Sequence, residues 1–120
     1  MSDPSSVDLA RTTARAADDK KAEGTLILDV GDLLSITDYF VVTSASNRRL
    51  VRTIVETIEE EVKLQHDRAP ARLEGVSELQ WVLMDYGDVV VHVFTDEMRA
   101  YYEIERLYRG VPRVEWEVTA

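Results

Sequence analysis

Cysteine is absent from all 120 residues of the chain. Disulfides, thiolate nucleophiles and cysteine-based zinc sites are thereby excluded. No apolar run approaches the roughly 20 residues needed to cross a bilayer, so no membrane partner is expected. The first residues, Met1 to Asp8, are polar and lack a basic-then-apolar export pattern, and a cytoplasmic location is expected. Basic residues are outnumbered, 14 against 23 acids, for a net charge of −9. Affinity for nucleic acid depends on cations that displace counterions, so little direct nucleic-acid binding is expected. A basic protein surface is the better match, and acidity speeds such an encounter. There is no glycine-rich phosphate loop and no P-loop lysine.

What is present is an ordinary globular mixture, 45% hydrophobic and 31% charged. The length suits one domain, placed at residues 1–110, with 111–120 as a tail to which no role is assigned. Pro4 follows Ser2 and Asp3 as at a helix start, and Val7, Ala10, Ala14 and Ala17 recur at helical spacing. A helix is expected from about Asp3 to Glu23, ended by Gly24. Thr25 to Val30 and Asp38 to Ser44 read as strands. Leu50, Ile54, Ile58 and Val62, with Val51, Val55 and Leu64 beside them, mark a second helix whose N-cap lies in Ser44–Asn47. Arg48, Arg49 and Arg52 sit in its first turns and acids later, against the helix dipole.

Arg72 to Glu74 is a short strand, and Leu79–Asp85 and Val89–Phe94 form a hairpin around Tyr86-Gly87-Asp88. Both faces of Val89–Phe94 are apolar, as in a central strand. Thr95 and Asp96 begin a last helix that is expected to continue to about Tyr108. The order α-β-β-α-β-β-β-α predicts an α/β or α+β fold, a mixed sheet of about five strands flanked by helices.

Three kinds of chemistry can be weighed against simpler explanations. Asp85, Asp88 and His92 are near in sequence, as metal ligands are, but His92 lies about 13 Å further along an extended strand, the aspartates suit a turn, His92 suits a hydrogen-bonded core histidine, and no metal is expected. Ser44 and Ser46 follow a strand as a nucleophile might, without the Gly-x-Ser-x-Gly elbow. The Ser44–Asn47 loop followed by Arg48 and Arg49 resembles a phosphate site in its order, yet an N-cap accounts for it equally. The alternative function is therefore a nucleotide-binding protein or nucleotidyltransferase-related enzyme. Trp81, Tyr86 and Tyr102 are residue types found at interface hot spots.

The stretch Trp81 to Phe94, WVLMDYGDVVVHVF, followed by Arg99 to Leu107, RAYYEIERL, closely resembles the ribosomal silencing factor family, also called Iojap-like. Asp19–Ala22, Leu28–Val30, Ser35–Phe40 and Arg72–Gly75 are similar to further landmarks of that family, and the resemblance covers about residues 7–109. It implies a nucleotidyltransferase-like topology without catalysis, although the Gly-Ser loop and Asp-x-Asp metal pair of those enzymes are missing here. It implies binding to the large ribosomal subunit through the protein numbered fourteen, L14, which blocks subunit joining and represses translation when nutrients are short. No cofactor is implied. Carried over by motif, the partner-binding residues are Trp81, Asp85, Tyr86 and Asp88 in the hairpin and Arg99 and Tyr102 in the last helix. Met98 joins them by position, one turn before Tyr102. Trp81 and Tyr86 are expected to form an exposed aromatic pair ringed by carboxylates, and in the free protein that patch is also open to a second copy in a homodimer.

Overall fold

The computed structural model of the chain describes residues 4–117, so the expected start at Asp3 lies outside the described residues. Helix α1 spans Pro4–Asp19 and strand β1 Glu23–Asp29. Strand β2 (Tyr39–Ala45) and helix α2 (Arg48–His66) follow, then β3 (Arg72–Glu74), β4 (Trp81–Asp85) and β5 (Val89–Thr95). The chain closes with α3 (Asp96–Tyr102), α4 (Ile104–Leu107) and β6 (Arg113–Val114). The fold is α+β, with one mixed six-stranded sheet in the order β3-β4-β5-β2-β1-β6.

The centre of the sheet is the parallel pair β2 and β5, registered from Tyr39 opposite Val89 to Ala45 opposite Thr95. All of β2 is buried, and β5 buries both faces, as the VVVHVF pattern predicts. The other ladders are antiparallel. Alternation along the strands sorts side chains onto two faces. Val41, Val82, Met84, Val89, Val91 and Val93 meet Ala10, Ala14 and Ala17 of α1 and Val51, Ile54, Ile58 and Val62 of α2. The small alanines let α1 lie close to the sheet. On the other face, Leu28, Phe40, Val42 and Phe94 meet Ile104, Met98 and Tyr108 from the C-terminal helices and Leu34 from the 30–38 link.

Four expectations change. Helix α1 ends at Asp19, because Lys21 adopts a left-handed conformation (φ 65°) and Ala22 N donates to Ala17 O at 3.1 Å, a Schellman closure. Gly24 (φ 55°) then serves a bulge in β1, where a Cβ would stand 3.0 Å from the Arg99 guanidinium. Leu64 is 78% exposed and takes no part in the α2 stripe. The last helix breaks at Glu103, whose left-handed backbone (φ 47°) redirects the chain so that Ile104 is buried against the sheet.

The fourth change concerns the C-terminal segment. The sheet has six strands where about five were expected, because Arg113 and Val114 pair with Leu28 and Ile27. Trp116 Nε1 donates to Thr25 O at 3.0 Å. Arg11 and Arg15 of α1 donate to the carbonyls of Glu115 and Trp116. Two residues are too short for a periodicity signal, so pairing partners decide this strand and local pattern does not. Removal of residues 113–120 is expected to cost on the order of 2 kcal/mol of stability, from lost Trp116 burial and edge hydrogen bonds. Urea unfolding of the shortened chain checks this.

Candidate protein-binding surface

Strand β4 begins at Trp81, directly opposite Phe94 of β5. The indole stacks on Phe94 with ring centroids 4.9 Å apart and meets Tyr102 of α3 at 4.8 Å. Its Nε1–H donates to His92 Nδ1 at 3.2 Å. His92 also meets Phe40 edge-on at 4.8 Å. The indole is half-buried and Tyr102 is 48% exposed, so an aromatic ledge stands at one end of the sheet's second face. Tyr101, more exposed still, packs edge-on against Tyr102 at 5.0 Å. Leu83 and Val90, both partly exposed, carry the same face onward from the ledge. Gly75 makes room behind it: at φ 85°, any Cβ would strike the Trp81 carbonyl oxygen at 2.0 Å.

His92 is what holds the indole in place. Because Nδ1 accepts from Trp81, the proton of the neutral ring resides on Nε2. Burial in this apolar stack pushes its pKa from 6.5 down to about 4.

The hairpin residues occupy a different place. Asp85 pairs with Val90, four residues along β4 from Trp81, roughly 13 Å away. Its Oδ1 accepts from Gly87 N at 2.8 Å, holding the turn, and its other oxygen lies 3.8 Å from Arg72 Nε. Tyr86 is not exposed: at 4% it belongs to the core on the α1–α2 side. Burial raises its hydroxyl pKa, and the charge of Glu59 adds to this. The expected aromatic pair of Trp81 and Tyr86 is thus corrected to Trp81 and Tyr102. Tyr86 stands one residue past Asp85, and the alternation of side chains turns it to the opposite face. Asp88 accepts from Arg68 at 2.8 Å and from Ser6 at 2.6 Å. Burial alone would raise its pKa, but the hydrogen bonds from Arg68 and Ser6 outweigh it and hold the carboxyl below its ordinary value.

In the last helix, Met98 lies half-buried against the second-face cluster, its N–H donating to the Thr95 cap. Arg99 is nearly enclosed. Its guanidinium donates to Glu23 O (3.0 Å), Gly24 O (2.7 Å), Ser44 Oγ (3.1 Å) and Glu105 Oε1 (3.2 Å). It ties α3 to β1, β2 and α4. The Ser44–Asn47 loop is likewise occupied: Asn47 Oδ1 accepts from Leu50 N at 2.8 Å as the cap of α2.

The structure therefore brings together Trp81, Met98 and Tyr102, and sets Asp85 at the far end of the same face. Tyr86, Asp88 and Arg99 are turned into the framework. Leu83, Val90 and Tyr101 complete the surface and were missed, while His92 is buried beneath it as a hydrogen-bonded core histidine. The period-two alternation in WVLMD places Leu83 beside Trp81 and was the available signal.

The fold is α+β, with an aromatic ledge exposed on a sheet face that its own helices cover only in part. Residues 3–120 match the family model described as "Ribosomal silencing factor during starvation". The chain is 37% identical over 113 residues to a ribosomal silencing factor of Halalkalibacterium halodurans, covering 94% of this chain and 96% of that protein. It is 36% identical to the factor of Bacillus subtilis, covering 87% of each. A crystal structure from Chromobacterium violaceum superposes with a TM-score of 0.82 at 29% identity, over 95% of this chain and 93% of that one. The chain belongs to the ribosomal silencing factor family. Among the described residues, no helix is long and apolar enough to cross a membrane.

The buried His92 sets a pH dependence. Below about pH 6.5 the unfolded chain takes up a proton that the folded chain refuses until about pH 4. Stability is therefore lost across that window as the pH falls, on the order of 3 kcal/mol when the drop is complete. A His92→Gln variant keeps an acceptor for Trp81 without titrating, and is expected to flatten this slope. Unfolding at neutral pH and at about pH 5 compares the two.

Proposed function

We propose that this protein represses translation by occupation alone: it binds the large ribosomal subunit through the protein numbered fourteen and sterically blocks joining of the small subunit in the cytoplasm. The observation that carries this reading is the ledge of Trp81 and Tyr102, aromatic area left open on a rigid sheet face. Rigid aromatic side chains bind at low entropic cost, and such residues dominate interface energies. Met98 supplies adaptable apolar contact, Leu83 and Val90 extend the area, and Asp85 adds a carboxylate at the far end for a basic partner. In this assignment Tyr86, Asp88 and Arg99 act by holding the frame. Membership of a family whose printed description names ribosomal silencing supports the direction of the effect.

Tyr102→Ala is the cleanest test, because the side chain is half exposed and its loss leaves the Trp81–His92 hydrogen bond intact. Affinity for isolated large subunits is expected to fall by about 1–2 kcal/mol, with recovery of joined ribosomes when small subunits are added. Co-sedimentation measures both. Trp81→Ala is expected to cost about 2 kcal/mol or more of affinity and some fold stability as well, since it strips His92 of its donor. A folded Tyr102→Ala protein that binds and blocks as wild type does would remove this surface from the assignment. Light scattering of the free wild type and of Tyr102→Ala across a range of concentrations shows whether a second copy uses the same ledge.

A further inference from the structure

Arg48, Arg49 and Arg52 on the first turns of α2 are not explained by the fold or by the aromatic ledge. All three are exposed, and none makes an ion pair among the described residues. From Tyr39 to Val55 the chain carries no carboxylate, although it has 23 in all. The nearby acids look elsewhere: Asp96 hydrogen-bonds Glu23 and raises the pKa of that carboxyl. Arg52 borders a shallow groove with Val76 and Leu79, where Glu56 and Glu59 also stand without pairing to it. Arg48 and Arg52 are stacked like charges four residues apart, and all three sit at the positive end of a 19-residue helix. Both arrangements cost helix stability, and among the described residues no ion pair offsets them.

Their position relates them to the ledge. Strand β2 ends at Ala45, opposite Thr95, while Trp81 is opposite Phe94. Strands β2 and β4 flank β5, so the end of β2 lies about two strand spacings, roughly 10 Å, from Trp81, and α2 starts three residues beyond that end, on the opposite face of the sheet. A partner that covers the ledge and continues past the strand ends meets these guanidinium groups.

We propose that Arg48, Arg49 and Arg52 form a second contact, which takes the phosphate backbone of ribosomal RNA beside the protein that the ledge grips. The inference rests on the ribosome-binding reading above. Guanidinium forks match phosphate oxygens in shape and charge. The strongly acidic remainder of the chain is repelled by the same backbone, so the patch decides which end of the molecule faces RNA. The low general affinity for nucleic acid expected from the net charge is compatible with this, because three guanidinium groups alone give weak binding and contact with ribosomal protein supplies the rest.

The test is the salt dependence of binding to isolated large subunits, for the wild type, for the combined variant Arg48→Gln, Arg49→Gln, Arg52→Gln, and for Tyr102→Ala. The arginine variant is expected to fold with a melting temperature no lower than wild type. Its plot of log affinity against log salt is expected to be shallower by about 2 to 3, for three lost phosphate contacts, with affinity down at least about tenfold at low salt. Its binding to the isolated large-subunit protein numbered fourteen should be unchanged. Tyr102→Ala should lower affinity without altering the slope. An arginine variant with wild-type slope and affinity overturns the proposal, and so does one that weakens binding to the isolated protein equally. If Tyr102→Ala has no effect while the arginine variant flattens the slope, the ledge reading fails and the RNA contact stands.

Discussion

The parallel pairing of β2 with β5 is the constraint on which the rest depends. These two strands are apolar on both faces, so each face must be covered, and neither strand can lie at an edge. Parallel strands also require a long crossover. Here α2, β3 and β4 supply it, which sends α2 across one face and brings β4 back beside β5. The first face is then closed by α1 and α2 along nearly its whole length. The second face receives only the two short C-terminal helices and the 30–38 link. The difference in cover leaves aromatic area open on that side.

That open area is held with little freedom. The indole of Trp81 is fixed by stacking on Phe94, by contact with Tyr102 and by its hydrogen bond to a buried neutral His92. Arg99 anchors α3 from behind by bridging three backbone or hydroxyl oxygens and the Glu105 carboxylate. Residues matched to one family motif thus divide the work. Some present surface, and others, enclosed, keep that surface in shape. The division is physical: a guanidinium with four partners inside the fold has little left to offer a partner outside it.

Much of this was legible in the chain. The apolar character of both faces of Val89–Phe94 marks a central strand, the Asn47 cap and apolar stripe mark α2, and the motif from Trp81 to Phe94 points to the family. The errors have common causes. Lys21 and Glu103 adopt left-handed backbone where no glycine signals it, so two helix ends were misplaced. Arg113 and Val114 become a strand only because β1 offers them an open edge. Tyr86 was placed at the surface by its residue type and by the family motif, yet the pleat turns it inward.

The sequence by itself determined the class of fold, the central strands and the family, because period, capping and motif are properties of neighbours along a chain. Only the tertiary structure decided which of those residues share a surface. Trp81 meets Tyr102 rather than Tyr86, and Arg99 is spent on the backbone of β1. These outcomes depend on strand register and on where a distant helix turns, and such long-range geometry is written in no local pattern.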